Sequence, residues 1–222
     1  MQNVVQWLLD LLYPPRCMIC RRLLERQEMP VCRSCLDALP DFDDAPPQLR
    51  FAQSCAVTFY YEDDLRSAFL RYKFFGRRSY AQQFGKWLAV TVSDKLKGKF
   101  ELVTWVPVSR KRKKERTYDQ AELLCHALCR EMNLSPIPLL KKSRHTLPQS
   151  KLHDYAMRNA NARGAYELLP EADVAGKRIL LIDDIVTTGA TLNECCRVLL
   201  TAGAKSVVCA ALAAPRKQGG KI

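Results

Sequence analysis

Apolar residues recur along this chain with two spacings, and their alternation predicts its architecture. Val4, Val5, Leu8, Leu9 and Leu12 share one face at helical spacing. Ala56 to Tyr61 reads as a strand, and Asp64 to Phe74 as a helix striped by Leu65, Ala68, Phe69 and Tyr72. Gly76, Arg77 and Arg78 separate this helix from one running to about Leu96. A strand over Leu102 to Val108, a helix over Tyr118 to Met132 and a strand near Ile137 to Leu140 come next. The chain closes with a strand from Arg178, a helix over Thr191 to Ala202 and a strand over Ser206 to Ala211. Such alternation predicts an α/β fold, a parallel sheet flanked by helices. Pro40 to Pro47, rich in Asp and Pro, reads as a linker after a small N-terminal module, so residues 1–50 and 51–222 are expected to form separate units.

The run Ile179 to Thr191 carries the most chemistry. Four branched apolar residues suit a strand covered on both faces. Asp183 and Asp184 then stand at its carboxyl end, where open α/β sheets bind ligands. Thr187, Thr188, Gly189, Ala190 and Thr191 follow, just ahead of a helical pattern. Small residues let backbone N–H groups close around an anion, hydroxyls add donors, and a helix N-terminus favours negative charge. The segment thus offers acceptors for sugar hydroxyls and a cradle for a phosphate, which together suit a phosphorylated ribose. The Mg²⁺-holding strand of a P-loop ATPase would require Gly-x-x-x-x-Gly-Lys-Ser/Thr upstream, and the sequence contains none. A phospho-receiver domain would carry its acids near its start. A plain buried strand with helix-capping acids is the least specific alternative.

Composition sets outer bounds. An apolar fraction of 48% over 222 residues supports one ordinary domain with an appendage and excludes global disorder. No apolar run approaches membrane-spanning length, and the apolar start lacks the basic residues of a signal peptide, so a cytoplasmic protein is expected. The net charge of +12 calls for polyanionic partners. Its densest run, Arg110 to Arg116, follows a predicted strand and so also lies at a carboxyl end. Cys17, Cys20, Cys32 and Cys35 form two Cys-x-x-Cys pairs, the layout of a four-thiolate structural zinc site. A mononuclear iron would accept the same geometry. Cys55, Cys125, Cys129, Cys195, Cys196 and Cys209 read as small buried hydrophobes.

The run Ile179 to Thr191 resembles the phosphoribosyl-pyrophosphate (PRPP) signature of type I phosphoribosyltransferases. Together with the four-cysteine module, the chain resembles the ComF family, which includes ComFC and GntX proteins. The resemblance implies a type I phosphoribosyltransferase-like sheet and a small zinc-binding module. It implies Mg²⁺ with PRPP or another ribose-phosphate ligand, transfer of phosphoribose to a nitrogenous acceptor, and a role in DNA uptake during natural transformation. A DNA-translocase partner is implied too. GntX-like relatives point to carbon metabolism instead. Asp183 and Asp184 would bind the ribose hydroxyls, and Thr187 to Thr191 the 5-phosphate. Ser109, Arg110 and Lys111 would meet pyrophosphate, leaving the later basic residues for another polyanion.

The polar stretch Lys141 to Ala165 matches the family's hood through Arg144, Thr146, Gln149, Leu152, Arg158 and Asn161, with Arg144 as a further pyrophosphate contact. His145 and His153 in that stretch read as solvent-facing. The chain departs from the family where Thr117 replaces glycine and Asp119 replaces asparagine. Thr117 removes a residue free to adopt positive φ, and Asp119 is expected to cap the following helix. A second function class stays open: a non-catalytic accessory protein that binds nucleotide or single-stranded DNA.

Overall fold

The computed structural model describes residues 13–25, 30–143 and 162–216. The predicted helix over Val4 to Leu12 and the hood residues Arg144, Thr146, Gln149 and Arg158 lie outside these segments. The elements run α1 (Arg33–Asp37), β1 (Cys55–Tyr60), α2 (Asp63–Phe74), α3 (Tyr80–Lys95), β2 (Leu102–Trp105), α4 (Arg110–Arg116), α5 (Gln120–Glu131), β3 (Leu140–Lys142), β4 (Tyr166–Leu168), β5 (Arg178–Ile185), α6 (Ala190–Thr201) and β6 (Ser206–Ala214). Four strands form a wholly parallel sheet in the order β1-β6-β5-β2, as the α/β pattern predicts. The strand expected near Ile137 to Leu140 starts instead at Leu140. It pairs with β4 as a separate antiparallel hairpin, because two prolines interrupt the chain at Pro136 and Pro138.

The two central strands are apolar on both sides, so each face of the sheet builds its own core. On one face Leu180, Ile182, Val208, Ala210 and Leu212 pack with side chains of α2, α3 and α5, including Phe69, Phe84, Leu88, Leu124 and Leu128. On the other, Ile179, Leu181, Val207, Cys209 and Ala211 pack with Leu192, Cys195, Cys196 and Leu199 of α6 and with Leu140 and Tyr166 of the hairpin. Five of the six cysteines outside the four-cysteine module are fully buried, with Cys55 partly covered. Helices α3 and α5 meet closely because Gly85 lacks a side chain: a Cβ there would lie 2.4 Å from that of Ala127.

The N-terminal module shares the first core through Cys17, Met18, Ile19 and Val31. Arg71 of α2 ties it down by donating to the carbonyls of Met18, at 2.9 Å, and Ile19. The expected linker is not free of the domain. Phe42 is buried against Tyr60, and Asp41 bridges to Phe59.

Helix α5, reached from β2 through α4, covers one face and α6, after β5, covers the other. Their connecting turns therefore diverge, opening a crevice beyond the carboxyl ends of these adjacent strands.

Candidate ribose-phosphate site and four-cysteine centre

That crevice is a cavity of about 380 Å³, within the range of small-ligand sites. Its lining includes Asp183, Asp184 and every residue from Thr187 to Thr191. The sequence run that suggested a sugar and phosphate site is thus brought together in one place. Turning from strand to helix within so few residues requires special backbone. Gly189 supplies it with φ 75°, and a Cβ there would also strike Leu49 Cδ2 at 2.3 Å. Beside it, the Ala190 N–H donates to Thr188 Oγ1 at 3.4 Å.

The two acids differ in their surroundings. Asp184 forms an ion pair with Lys73 of α2 at 2.8 Å, their side chains only 13% and 18% exposed. Asp183 lies deep on the sheet and accepts the Asp184 N–H at 2.8 Å. Burial and then the charge of Asp184 push its carboxyl well above the usual range, with Lys73 pulling the other way. The pair therefore favours any ligand that supplies hydroxyl donors or positive charge.

Cationic groups flank the acids on both faces of the sheet. On the hairpin side stand Lys142, Tyr166 and Arg112. Lys142 donates to Tyr166 Oη at 3.1 Å, and burial plus the nearby Arg112 charge bring its ammonium down to about 8. Like charges held this close invite a dense anion. On the α2 side stand Lys73, Phe74, Arg116 and Gln120.

The segment expected to be a pyrophosphate loop is helix α4, so its cations point in different directions. Arg112 and Arg116 line the cavity, whereas Arg110 and Lys111 are exposed and do not. Ser109 caps the helix by accepting the Arg112 N–H at 3.4 Å. The expectation that Arg112 is left for a different polyanion therefore gives way to a place in this cavity. Lys113 pairs with Glu122 at 2.7 Å. Lys142 lies within the polar stretch matched to the hood, but sequence reasoning did not single it out as a site residue.

Both departures from the family pattern have a structural account. Thr117 itself adopts the left-handed conformation, φ 65°, and ends α4 as a glycine would. Arg78 holds it there by donating to both its hydroxyl and its carbonyl. Asp119 is buried and caps α5 as expected, accepting from Ala121 at 3.0 Å and Glu122 at 3.2 Å. Its second oxygen accepts from Val108 at 2.8 Å, which joins the two ends of the α4 turn.

In the N-terminal module, the sulfurs of Cys17, Cys20, Cys32 and Cys35 lie within 4.8 Å of one another. Cys20 and Cys32 are 3.8 Å apart, the edge of a tetrahedron with Zn–S bonds of about 2.3 Å. Burial disfavours a Cys17 thiolate, but N–H groups of Cys32, Cys20 and Ile19 outweigh it and lower the thiol to about 7. Four convergent thiols with donors to the sulfur fit a closed, structural zinc site.

Comparison with known proteins agrees with both halves. A double zinc ribbon domain model matches residues 8–57, and a phosphoribosyl transferase domain model matches residues 124–222. Competence protein F of Haemophilus influenzae is 31% identical over 109 residues, 48% of this chain and 47% of that protein. Competence protein ComFC of Bacillus subtilis is 28% identical over 176 residues, covering 78% and 67% of the two chains. The chain belongs to the ComF family. DNA utilization protein YhgH of Escherichia coli is another relative, 33% identical over 103 residues, or 46% of this chain and 44% of that one. The chain spans about half the length of the Haemophilus and Escherichia relatives. No described helix of this ComF chain is long and apolar enough to cross a membrane.

Proposed function

We propose that this chain binds PRPP at the carboxyl end of β5 and transfers its phosphoribosyl group, in the service of DNA uptake. One observation carries the reading: the acid pair and the Thr187–Thr191 turn line the same cavity. The 5-phosphate sits on that turn, held by backbone N–H groups and threonine hydroxyls at the start of α6. Asp183 and Asp184 accept hydrogen bonds from the ribose 2′ and 3′ hydroxyls. Pyrophosphate lies against Arg112 and Lys142, whose crowded charges it relieves.

Bond breaking at C1 builds positive charge on the ribose and negative charge on the leaving pyrophosphate. The acid pair lies beside the first, and the cations of the hairpin side meet the second. Among the described residues the cavity offers no Mg²⁺ site of its own. Asp184 is matched by Lys73, and Arg112, Arg116 and Lys142 also face the space. Mg²⁺ is accordingly assigned to the ligand, where it would neutralise pyrophosphate oxygens, and no step here depends on it. Calorimetric titration with Mg²⁺–PRPP tests the reading. Saturable binding of one molecule per chain supports it, and the absence of binding at millimolar ligand removes it.

A second observation favours an additional nucleic-acid role. A cavity of about 660 Å³ between the N-terminal module and α3 is lined by Arg16, Arg21, Arg77 and Lys86 together with Tyr13 and Tyr80. Among the described residues that line it there is no carboxylate. Cations interleaved with aromatic rings suit a single strand, whose phosphates and bases they meet in turn. Single-stranded DNA affinity that falls steeply with salt is the expected signature, and none at low salt would count against this role.

A further inference from the structure

The two flanks of the acid pair have different chemistry, and this bears on the acceptor. The inference rests on the phosphoribosyl-transfer reading above. Displacement at C1 of the ribose requires the incoming nitrogen and the departing pyrophosphate to lie on opposite sides of that carbon. Here the ribose would sit over Asp183 and Asp184 at the sheet's edge, with α2 packed on one face and the β3–β4 hairpin on the other. The hairpin flank, where Arg112 and Lys142 both line the cavity, suits the more densely charged pyrophosphate. The acceptor is left with the α2 flank.

That flank is part aromatic and part cationic. Phe74 lines it, with the Arg116 guanidinium over its ring at 4.7 Å. Tyr61 lies further along, with Arg66 at 5.9 Å from its ring centre. Lys73 lines the same cavity and is paired with Asp184 at 2.8 Å. Gln120 adds a donor: its Oε1 accepts from Arg116 at 2.8 Å, while its buried Nε2 has no hydrogen-bond partner among the described residues. Aromatic faces select a planar ring. Two cations beyond the Lys73–Asp184 pair, Arg66 and Arg116, together with the Gln120 amide donor select an anionic oxygen on that ring.

We propose that the wall formed by Lys73, Phe74, Arg116 and Gln120 is the acceptor subsite, and that it takes a planar nitrogen heterocycle bearing an acidic group. In the step this implies, the ring nitrogen's lone pair forms the bond to C1. The C1–O bond breaks with its electron pair passing to pyrophosphate; a ring N–H, as in orotate, gives its proton to that pyrophosphate, whereas a pyridine nitrogen has no proton to lose and ends as a pyridinium.

Matched pairs of rings test the assignment: orotate against uracil, and nicotinate against nicotinamide. Each is titrated into full-length protein saturated with Mg²⁺–PRPP, and ³¹P NMR follows pyrophosphate release. The acidic member of at least one pair should bind at least tenfold more tightly than its neutral partner. Phe74→Ala should abolish most of that binding while leaving Mg²⁺–PRPP affinity within about twofold. Phe74 is 58% exposed, so the variant should fold. Equal binding within both pairs, or no ring binding to a protein that does bind PRPP, would overturn the acceptor assignment and leave the PRPP reading intact. Absence of PRPP binding would overturn both.

Discussion

Asp119 offers a test of how the chain positions its cavity cations. Its carboxylate accepts three backbone N–H groups, from Val108, Ala121 and Glu122, so it fixes both ends of the turn that carries Arg112 and Arg116. Asp119→Ala removes a helix cap, worth about 1 kcal/mol, and leaves the Val108 N–H without this partner, at about 1–3 kcal/mol. The sum is roughly 2–4 kcal/mol of lost stability. A pH signature accompanies it. Burial raises this carboxyl from 3.8 to about 6, so between those values the folded chain binds the proton more tightly than the unfolded chain. Stability from this group is therefore full below 3.8 and lost as pH rises through about 6. From pH 5 to pH 7 the loss comes to about 1.3 kcal/mol. Urea unfolding of wild type and Asp119→Ala at both pH values reads both effects. The variant should be less stable at each pH, and the gap should be wider at pH 5. A gap that is equal, or wider at pH 7, would refute the account of a buried, proton-binding cap.

Other outcomes follow from the same structure. One Zn²⁺ per chain is expected on elemental analysis, and Cys17→Ser should lose it and loosen mainly the N-terminal module; iron, or no metal, would contradict the assignment. Gly85→Ala should destabilise by several kcal/mol, because its Cβ would meet Ala127 at 2.4 Å in a packed helix contact, and an unchanged melting temperature would show that α3 and α5 can separate at little cost. Gly189→Ala should weaken Mg²⁺–PRPP binding at least tenfold, since the turn must both keep φ 75° and avoid Leu49. Unaltered affinity in that variant would take the 5-phosphate away from this turn.

Much of this was legible because the informative residues are contiguous. The acid pair and phosphate turn lie within thirteen residues, and strand geometry alone carries them to the sheet's edge. Two Cys-x-x-Cys pairs likewise declare their own convergence. What sequence could not order was contact between distant segments. Lys73 reaches Asp184 from α2, and Lys142 reaches the cavity from the hairpin, across separations that no local period reports. The Arg110–Arg116 run misled for a different reason. As a helix it points successive side chains about 100° apart, so Arg112 and Arg116, one turn apart, share the cavity and Arg110 and Lys111 do not. Thr117 shows the limit of residue preference, because two hydrogen bonds from Arg78 accompany a conformation threonine rarely adopts.

The central claim is that Asp183 and Asp184 hold a phosphorylated ribose, and calorimetry of the Asp183→Asn, Asp184→Asn double variant tests it most directly. A lost hydrogen bond to the ion-paired Asp184 is worth roughly 1.5–3 kcal/mol and one to Asp183, whose charge burial disfavours, roughly 0.5–1.5 kcal/mol, so Mg²⁺–PRPP affinity should fall at least about thirtyfold. Both residues stand at a strand end and open to the cavity, so far-UV circular dichroism should match wild type. A folded double variant that binds Mg²⁺–PRPP as tightly as wild type would contradict the account.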